Sequence, residues 1–576
     1  MQRVEEDRTE VAGGPAKAPQ LPGCARSQIA ATRYWLIFAA FTLTAILAAV
    51  IRWSLAHPFG IHWDEAEYIN DVLIDVQRLR HWMLLKAAGR ILISSVGRPP
   101  AYRLLADPLL ALFGPGTTLA RVISLSGYGL ASWYVYRAAS VVAGRISGAF
   151  AVLIFCLSPE VITASAFFGT ESSLYLATSA MLFYLLRSLS GEPKPSRDWI
   201  GLGAAVGLGF LSKTSFLLIG PPALICWRII ARRTKSGDSR FRLPLKAGLL
   251  ALLIAGPWWF LHARDAMAYA QFARGTIRNS LGPPSIATWI SWANSVVQCV
   301  IGPALTILIC LIVTVFLAKA IGRKNAIFTP VQSSGLWICL CAGVPIVLVQ
   351  LAGTNHLLRY ITPAVIPLAI AIGILAAQTL WSLKAGGMAI SSVLFASQLC
   401  MLVYPVLFPN TAPVNIGFVN GALPWRSLAR FDQWDWKPLR AISESCNLQS
   451  PKISYLGNGR QLDPPAIQYP WLVAEMPVRL QKLSYPDVTW LWRYEDGALD
   501  WQKVLESAAQ SDLVVTVPSH VGEVIVREDL DNQYNSDFAA RLAKDSRFES
   551  LYSFQVGRFA PVTVDVFPRR GLVCRR

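Results

Sequence analysis

The feature that most restricts what this chain can become is a series of long apolar runs between residues 34 and 407, separated by short basic loops. A helix of about 17–25 apolar residues matches the thickness of a bilayer, and inside a bilayer a helix satisfies its own backbone. Spans are expected near 34–55, 118–139, 146–166, 170–188, 245–262, 296–319, 334–352, 359–380 and 386–407. Residues 198–232 hold two shorter spans that turn near Ser212 and Lys213, which makes eleven. Of the 576 residues, 53% are hydrophobic and 15% charged, too apolar for an ordinary soluble protein. The excess stops near residue 408, and residues 409–576 mix charges, aromatics and prolines as a soluble domain does. The expected architecture is a mainly α polytopic membrane protein of about eleven transmembrane helices with a C-terminal extracytoplasmic α/β domain.

Orientation follows from the basic residues, which concentrate in short cytoplasmic loops. With the N-terminus inside, the inner loops hold Arg137 and Arg145; Arg187, Lys194 and Arg197; seven cations from Arg228 to Lys246; Lys319, Arg323 and Lys324; and Lys384. An odd number of spans then puts the C-terminal domain outside, beside the long first loop at 56–117. Residues 1–30, polar and without apolar periodicity, read as a disordered cytoplasmic tail. The net charge of +18 flanks spans and comes without any nucleic-acid-reading motif, so it suits topology and anionic lipid headgroups rather than nucleic acid. Within 409–576, segments 453–456 and 513–517 read as strands and 499–509 and 538–543 as helices. The GNG at 457–459 reads as a turn. Cys446 and Cys574 could pair if that domain is extracytoplasmic.

Acid is scarce and clustered. Residues 34–407 contain twelve acidic side chains, and Asp64, Glu65, Glu67, Asp71 and Asp75 fall together just after the first span, whereas 266–407 contain none. A carboxylate at headgroup level, partly desolvated, suits a general base. Glu65, Asp71 and Asp75 read instead as the solvated face of an interfacial helix whose other face is Ile69, Val72, Leu73 and Val76.

Six segments stand in order along the body: DE at Asp64 and Glu65; GRPPAYRLLADPLLALFG at 97–114; FFGTESSLYL around Glu171; GLGFLSKTSFLL around Lys213; GPWWFLHARD at 256–265; and NHLLRYITPAVIP at 355–367. This series resembles the GT-C superfamily of polytopic glycosyltransferases, in the branch of protein O-mannosyltransferases and lipid A aminoarabinose transferases. The resemblance implies a polyprenyl-phosphate sugar donor in the outer leaflet and an inverting displacement onto a glycolipid, glycan or protein acceptor. It assigns Asp64 as base or acceptor-orienting group, supported by Glu65. Glu171 falls where relatives usually carry Asp. Arg359 and Tyr360 match an Arg-Tyr pair, and Lys213 a basic residue near a span end.

Cations at headgroup depth stabilise a departing polyprenyl phosphate, which makes Arg359, Lys213, His356 and Arg98 the donor-phosphate candidates. Each of Arg359, Lys213 and His356 also reads as a snorkelling anchor, and Arg98 as part of a turn fixed by Pro99 and Pro100. Arg264 and Asp265 are expected to pair with each other or with headgroups. No cofactor is certain from the sequence. A divalent cation is possible, with His57, His62, His356 and the acids as conceivable ligands, but no span carries an i, i+4 His pair. A lipid or solute transporter is the rival class, disfavoured because the charges sit at span ends and no two-fold repeat is visible. A scaffold or sensor gives no reason for the acid cluster.

Overall fold

The computed structural model describes residues 23–58, 63–93, 98–190, 195–233, 239–275, 285–322, 328–353, 358–379, 384–408, 434–456, 462–475, 485–491, 499–518, 528–549, 552–557 and 561–574. His62, His356 and the GNG turn lie outside these residues. The N-terminal body runs α1 (Gly23–Ala56), α2 (Trp63–Arg80), α3 (Leu84–Ile93), α4 (Ala101–Phe113), α5 (Thr117–Ala143), α6 (Arg145–Cys156), α7 (Pro159–Ala166), α8 (Glu171–Leu189), α9 (Pro195–Ser212) and α10 (Gly220–Arg233). It continues through α11 (Ser239–Gly275), α12 (Ile286–Ser295), α13 (Pro303–Gly322), α14 (Pro330–Ala352), α15 (Val365–Thr379) and α16 (Lys384–Leu407).

By length and composition, seven helices among the described residues could cross a membrane, or eight if α6 and α7, bent by 64°, form one broken span. Large apolar side chains such as Phe41, Leu253, Phe260 and Ile321 stand on the outside of the bundle, where water would penalise them and lipid does not. The centre belongs to α5, α6, α8 and α15. α8 is buried along almost its whole length although it carries Ser172, Ser173, Thr178 and Ser179. Ser173, Ser179 and Ser188 return their hydroxyls to backbone carbonyls at 2.8, 3.1 and 2.6 Å, which lets them enter the core hydrogen-bonded, whereas the buried hydroxyls of Ser172 and Thr178 have no partner among the described residues. α9 packs closely on α11 because a Cβ at Gly203 or Gly207 would come within 2.8 Å of the Ala247 carbonyl or 2.9 Å of Ile254. Small residues four apart permit that approach between membrane helices.

The first loop folds as a three-helix cassette, and here one expectation fails. Glu65 and Asp75 are buried and Asp71 is half-buried; none is a solvated face. Arg90 reaches Asp71 at 2.7 Å and Asp75 at 2.8 Å, Arg103 reaches Asp75 at 2.6 Å, and Arg121 holds Glu65 at 2.7 Å. α2 is covered on both sides, by the bundle and by the C-terminal domain, so its acids enter the interior and each takes an arginine from α3, α4 or α5. Burying charge demands such pairing. Asp107 of α4 has no arginine on either oxygen; burial, with Asp75 adding to it, pushes its carboxyl up to about 9.

The C-terminal domain contributes helices α17 (Lys437–Ser445), α18 (Pro464–Glu475), α19 (Trp501–Ala508) and α20 (Glu528–Leu542). Its described strands are β1 (Lys452–Tyr455), β2 (Asp487–Trp490), β3 (Leu513–Thr516), β4 (Tyr552–Val556) and β5 (Val562–Pro568). They form one sheet in the order β2-β1-β3-β5-β4, with β1 parallel to β2 and β3, and β5 antiparallel to β3 and β4. The central strand β3, Leu-Val-Val closed by Thr516, is buried throughout, as an apolar run in a covered sheet should be. Cys446 and Cys574 are disulfide-bonded. The domain docks through α18: Tyr469 and Leu472 join Ile69, Val72, Leu73 and Val76 in one apolar cluster, and Ala66 of α2 enters the core around β1 and β3.

Candidate active site

Helical arithmetic sets the site's first side. Asp64, Glu67, Tyr68, Asp71 and Asp75 recur at three- and four-residue intervals and share one face of α2, opposite the apolar face against α18. Asp64 lies in the first turn, where negative charge also suits the helix dipole. Glu65, a further 100° round, turns away and binds Arg121 through both oxygens at 2.8 and 2.7 Å and the Phe168 backbone N–H at 2.8 Å. That contact ties α2 to the break before α8, whose first residue is Glu171.

The cations arrive from interrupted helices. Lys213 stands in extended backbone between α9 and a 3₁₀ turn at Thr214–Leu218. Arg359 lies in a 3₁₀ turn at Leu358–Tyr360, a second 3₁₀ turn at Thr362–Ala364 leading into α15. Thr362 donates its hydroxyl to the Arg359 carbonyl at 2.8 Å and is itself 2.6 Å from the Tyr175 hydroxyl of α8. Irregular backbone at the depth of a membrane bundle is tolerated where it lines a cavity.

These elements bring the predicted residues together. Arg359 donates to Asp64, residues 295 apart in sequence. Arg98 donates to Glu67 and lies 3.9 Å from Asp64. Lys213 donates to Glu171 at 2.7 Å. Tyr360 joins the two halves: Lys213 Nζ is 4.7 Å, and the Arg359 guanidinium carbon 5.3 Å, from its ring centre. Arg98 is flanked by the rings of Tyr68 and Tyr269 at 5.5 and 5.4 Å. Each cation thus carries at least one acid partner and at least one aromatic face. Burial raises the Glu67 carboxyl, with Arg98 pulling it back and Asp64 adding to the rise.

Some placements differ from expectation. Glu65 supports the site as a buried structural anchor. Asp265 lies 3.7 Å from His262 and not on Arg264. His57 is buried, hydrogen-bonded to the Trp53 carbonyl at 2.7 Å. Among the described residues no group of three or more His, Cys, Asp or Glu is arranged to hold a metal ion. Sequence reasoning passed over Tyr68, Tyr269 and Glu67 as site residues; the i, i+3 and i, i+4 spacing from Asp64 was a usable signal for Glu67 and Tyr68.

Superposition on solved structures settles the architecture. ArnT from Cupriavidus metallidurans bound to undecaprenyl phosphate aligns over 95% of this chain and 100% of its own, at a TM-score of 0.54 and 13% identity. The chain has the GT-C fold. Mycobacterial arabinofuranosyltransferase AftD aligns at a TM-score of 0.50 and 13% identity, over 93% of this chain and 41% of AftD. By sequence, residues 97–260 match the dolichyl-phosphate-mannose-protein mannosyltransferase family. A Proteus mirabilis (strain HI4320) protein, undecaprenyl phosphate-alpha-4-amino-4-deoxy-L-arabinose arabinosyl transferase 1, is 30% identical over 165 residues, 27% of this chain. That match spans 29% of the relative's own length. A GT-C chain with these apolar helices is a multi-pass membrane protein, and the proteins that it resembles include mannosyl- and arabinosyltransferases.

Proposed function

We propose that this protein is an inverting glycosyltransferase that moves a sugar from a polyprenyl-phosphate donor to a hydroxyl acceptor at the outer face of the bacterial inner membrane, with its N-terminus cytoplasmic and its C-terminal domain outside. The reading is carried by one observation: the carboxylate that opens α2 is ion-paired with a cation from the turn before α15, next to a second acid–cation pair at Glu171 and Lys213.

In this reading the donor phosphate takes Arg359 and Lys213 as partners. A phosphate competes well for guanidinium and ammonium groups, and as Arg359 turns to it, Asp64 is released to accept a proton. The acceptor oxygen then bonds to C1 of the sugar and the C1–O bond to phosphate breaks. The bonding pair leaves with the polyprenyl phosphate, whose charge the two cations balance, and the acceptor's proton goes to Asp64. Arg98 holds Glu67 and steers Asp64 from the opposite side to Arg359. Glu171 keeps Lys213 in place while the site is empty. Membrane lipids supply the route by which the donor reaches the groove. The convergence of these charges on one cluster supports group transfer over transport, which calls for ionisable groups along a through-path.

The test is Asp64→Asn in cells otherwise lacking the gene, with envelope glycans and glycolipids compared by mass spectrometry. Asn keeps the shape but cannot take the proton, and loss of a general base costs about 10²–10⁴-fold in rate. A folded, inserted Asp64→Asn protein that sustains wild-type product would refute the assignment.

A further inference from the structure

The helix that docks the C-terminal domain brings one more carboxyl to α2, on the flank marked by Asn70 between its apolar and acidic faces. Asp463 precedes Pro464 and Pro465 at the start of α18, and its Oδ1 accepts the Ala466 N–H at 2.9 Å, capping the helix. Asn70 of α2 donates to the Pro465 carbonyl at 2.9 Å, so this helix start is fixed against α2 beside Glu67. Capping uses one carboxyl oxygen. The other, Oδ2, is buried and has no hydrogen-bond partner among the described residues, on a residue 5% exposed. Burial first, then the charges of Glu67 and Asp64, hold this carboxyl well above the usual range, which marks all three as neighbours.

An N-cap needs no such isolation, since surface caps leave the second oxygen to water. A buried acceptor left unmet costs about 1–3 kcal/mol, and serine or threonine would cap the helix without that cost. The lone oxygen has a use if a ligand completes it. We propose that Asp463 binds a second hydroxyl of the acceptor, making the acceptor a carbohydrate of a glycan or glycolipid in place of a protein serine or threonine or a phosphate group. This rests on the reading that Asp64 receives the attacking hydroxyl. Two carboxyls from different elements, near enough for the charge of Asp64 to act on Asp463, match neighbouring hydroxyls of a sugar; a single side-chain hydroxyl fills only one. An anionic acceptor would meet the Asp64 carboxylate, and Asp463, held well above the usual carboxylate range by burial, offers it no cation. Asp463 makes and breaks no bond in this scheme. It selects and orients the acceptor, and it makes the C-terminal domain part of the site.

The experiment uses the full-length protein and membranes from cells lacking the gene, which contain their own donor and acceptor. Initial rates of sugar incorporation are measured for wild type, Asp463→Asn, Asp463→Ala and Asp64→Asn, with added undecaprenyl phosphate as competitor and linkage analysis of the product. Asn preserves the cap, so Asp463→Asn should melt like wild type, with Asp463→Ala lower. One lost acceptor contact of about 1.4 kcal/mol predicts a rate about tenfold down for Asp463→Asn, with the half-inhibiting concentration of undecaprenyl phosphate unchanged. The wild-type product should carry the new sugar on a carbohydrate hydroxyl, a result that depends on no variant. Wild-type rate in Asp463→Asn, or a sugar found on serine, threonine or phosphate, overturns the inference. If Asp64→Asn is dead while Asp463→Asn is normal, only the acceptor inference falls; if wild type incorporates nothing, the glycosyltransfer reading falls with it.

Discussion

Replacing Glu65 by Ala should destabilise the body by about 3–5 kcal/mol, the usual result of breaking a buried ion pair. Glu65 is 1% exposed and Arg121 is fully buried. The carboxylate takes two guanidinium N–H groups at 2.8 and 2.7 Å and the Phe168 N–H at 2.8 Å. At 2.7 Å and an effective dielectric of about 20, the attraction alone is about 6 kcal/mol. After the substitution Arg121 keeps contacts that include the His57 carbonyl and the face of Trp53 at 4.8 Å, which soften the loss without replacing the charge. Glu65→Gln, which keeps the volume and one acceptor, should cost less, about 2 kcal/mol. The Glu65→Met, Arg121→Met double variant removes both charges and fills the space, so it should recover most of the loss. Denaturant titration in mixed micelles, read by tryptophan fluorescence, measures all four proteins. A Glu65→Ala protein within about 1 kcal/mol of wild type, or a double variant no better than the single one, would refute the claim that this pair fastens α2 to the bundle.

Asp107 gives a prediction in pH. Its folded pKa, about 9, lies above the ordinary 3.8, so the folded state holds a proton that the unfolded state gives up, and stability from this group is present at low pH and declines as pH rises from about 4 towards 9. Asp107→Asn should remove that slope and gain on wild type at pH 8 but not at pH 4, by melting curves at both. Arg359→Ala and Lys213→Ala should each weaken undecaprenyl phosphate binding by about 1.5–3 kcal/mol, roughly 10–150-fold, in a competition assay; unchanged inhibition would remove that residue from the donor site. Opening the Cys446–Cys574 bridge by Ser substitution should cost the C-terminal domain about 2–5 kcal/mol, seen as earlier proteolysis of that domain alone.

Much of this molecule was legible because membrane spans and buried strands are written in composition. The run at 513–517 became β3 for the reason it was noticed, an apolar stretch covered on both faces, and 453–456 became β1 with the polar Ser454 buried inside it. The turn near Ser212 and Lys213 was legible because a cation interrupts an apolar run. Asp64 stood out through scarcity, in a body with twelve acids. The acids behind it misled for a physical reason. Asp71 and Asp75 have the spacing of a solvated helix face and Glu65 lies off it, and one chain segment does not show that Arg121, Arg90 and Arg103 from later helices will cover all three. Asp463 was harder still: Asp-Pro-Pro signals a helix start, but its place beside α2 exists only once α18 docks there through Asn70 and Ala66.

A structure of the full-length protein with undecaprenyl phosphate bound would test the central claim most directly. The account predicts the phosphate between Arg359 and Lys213, beside Tyr360, with the Arg359–Asp64 ion pair opened and Asp64 facing the acceptor side. A phosphate bound elsewhere, with that ion pair intact, would contradict it.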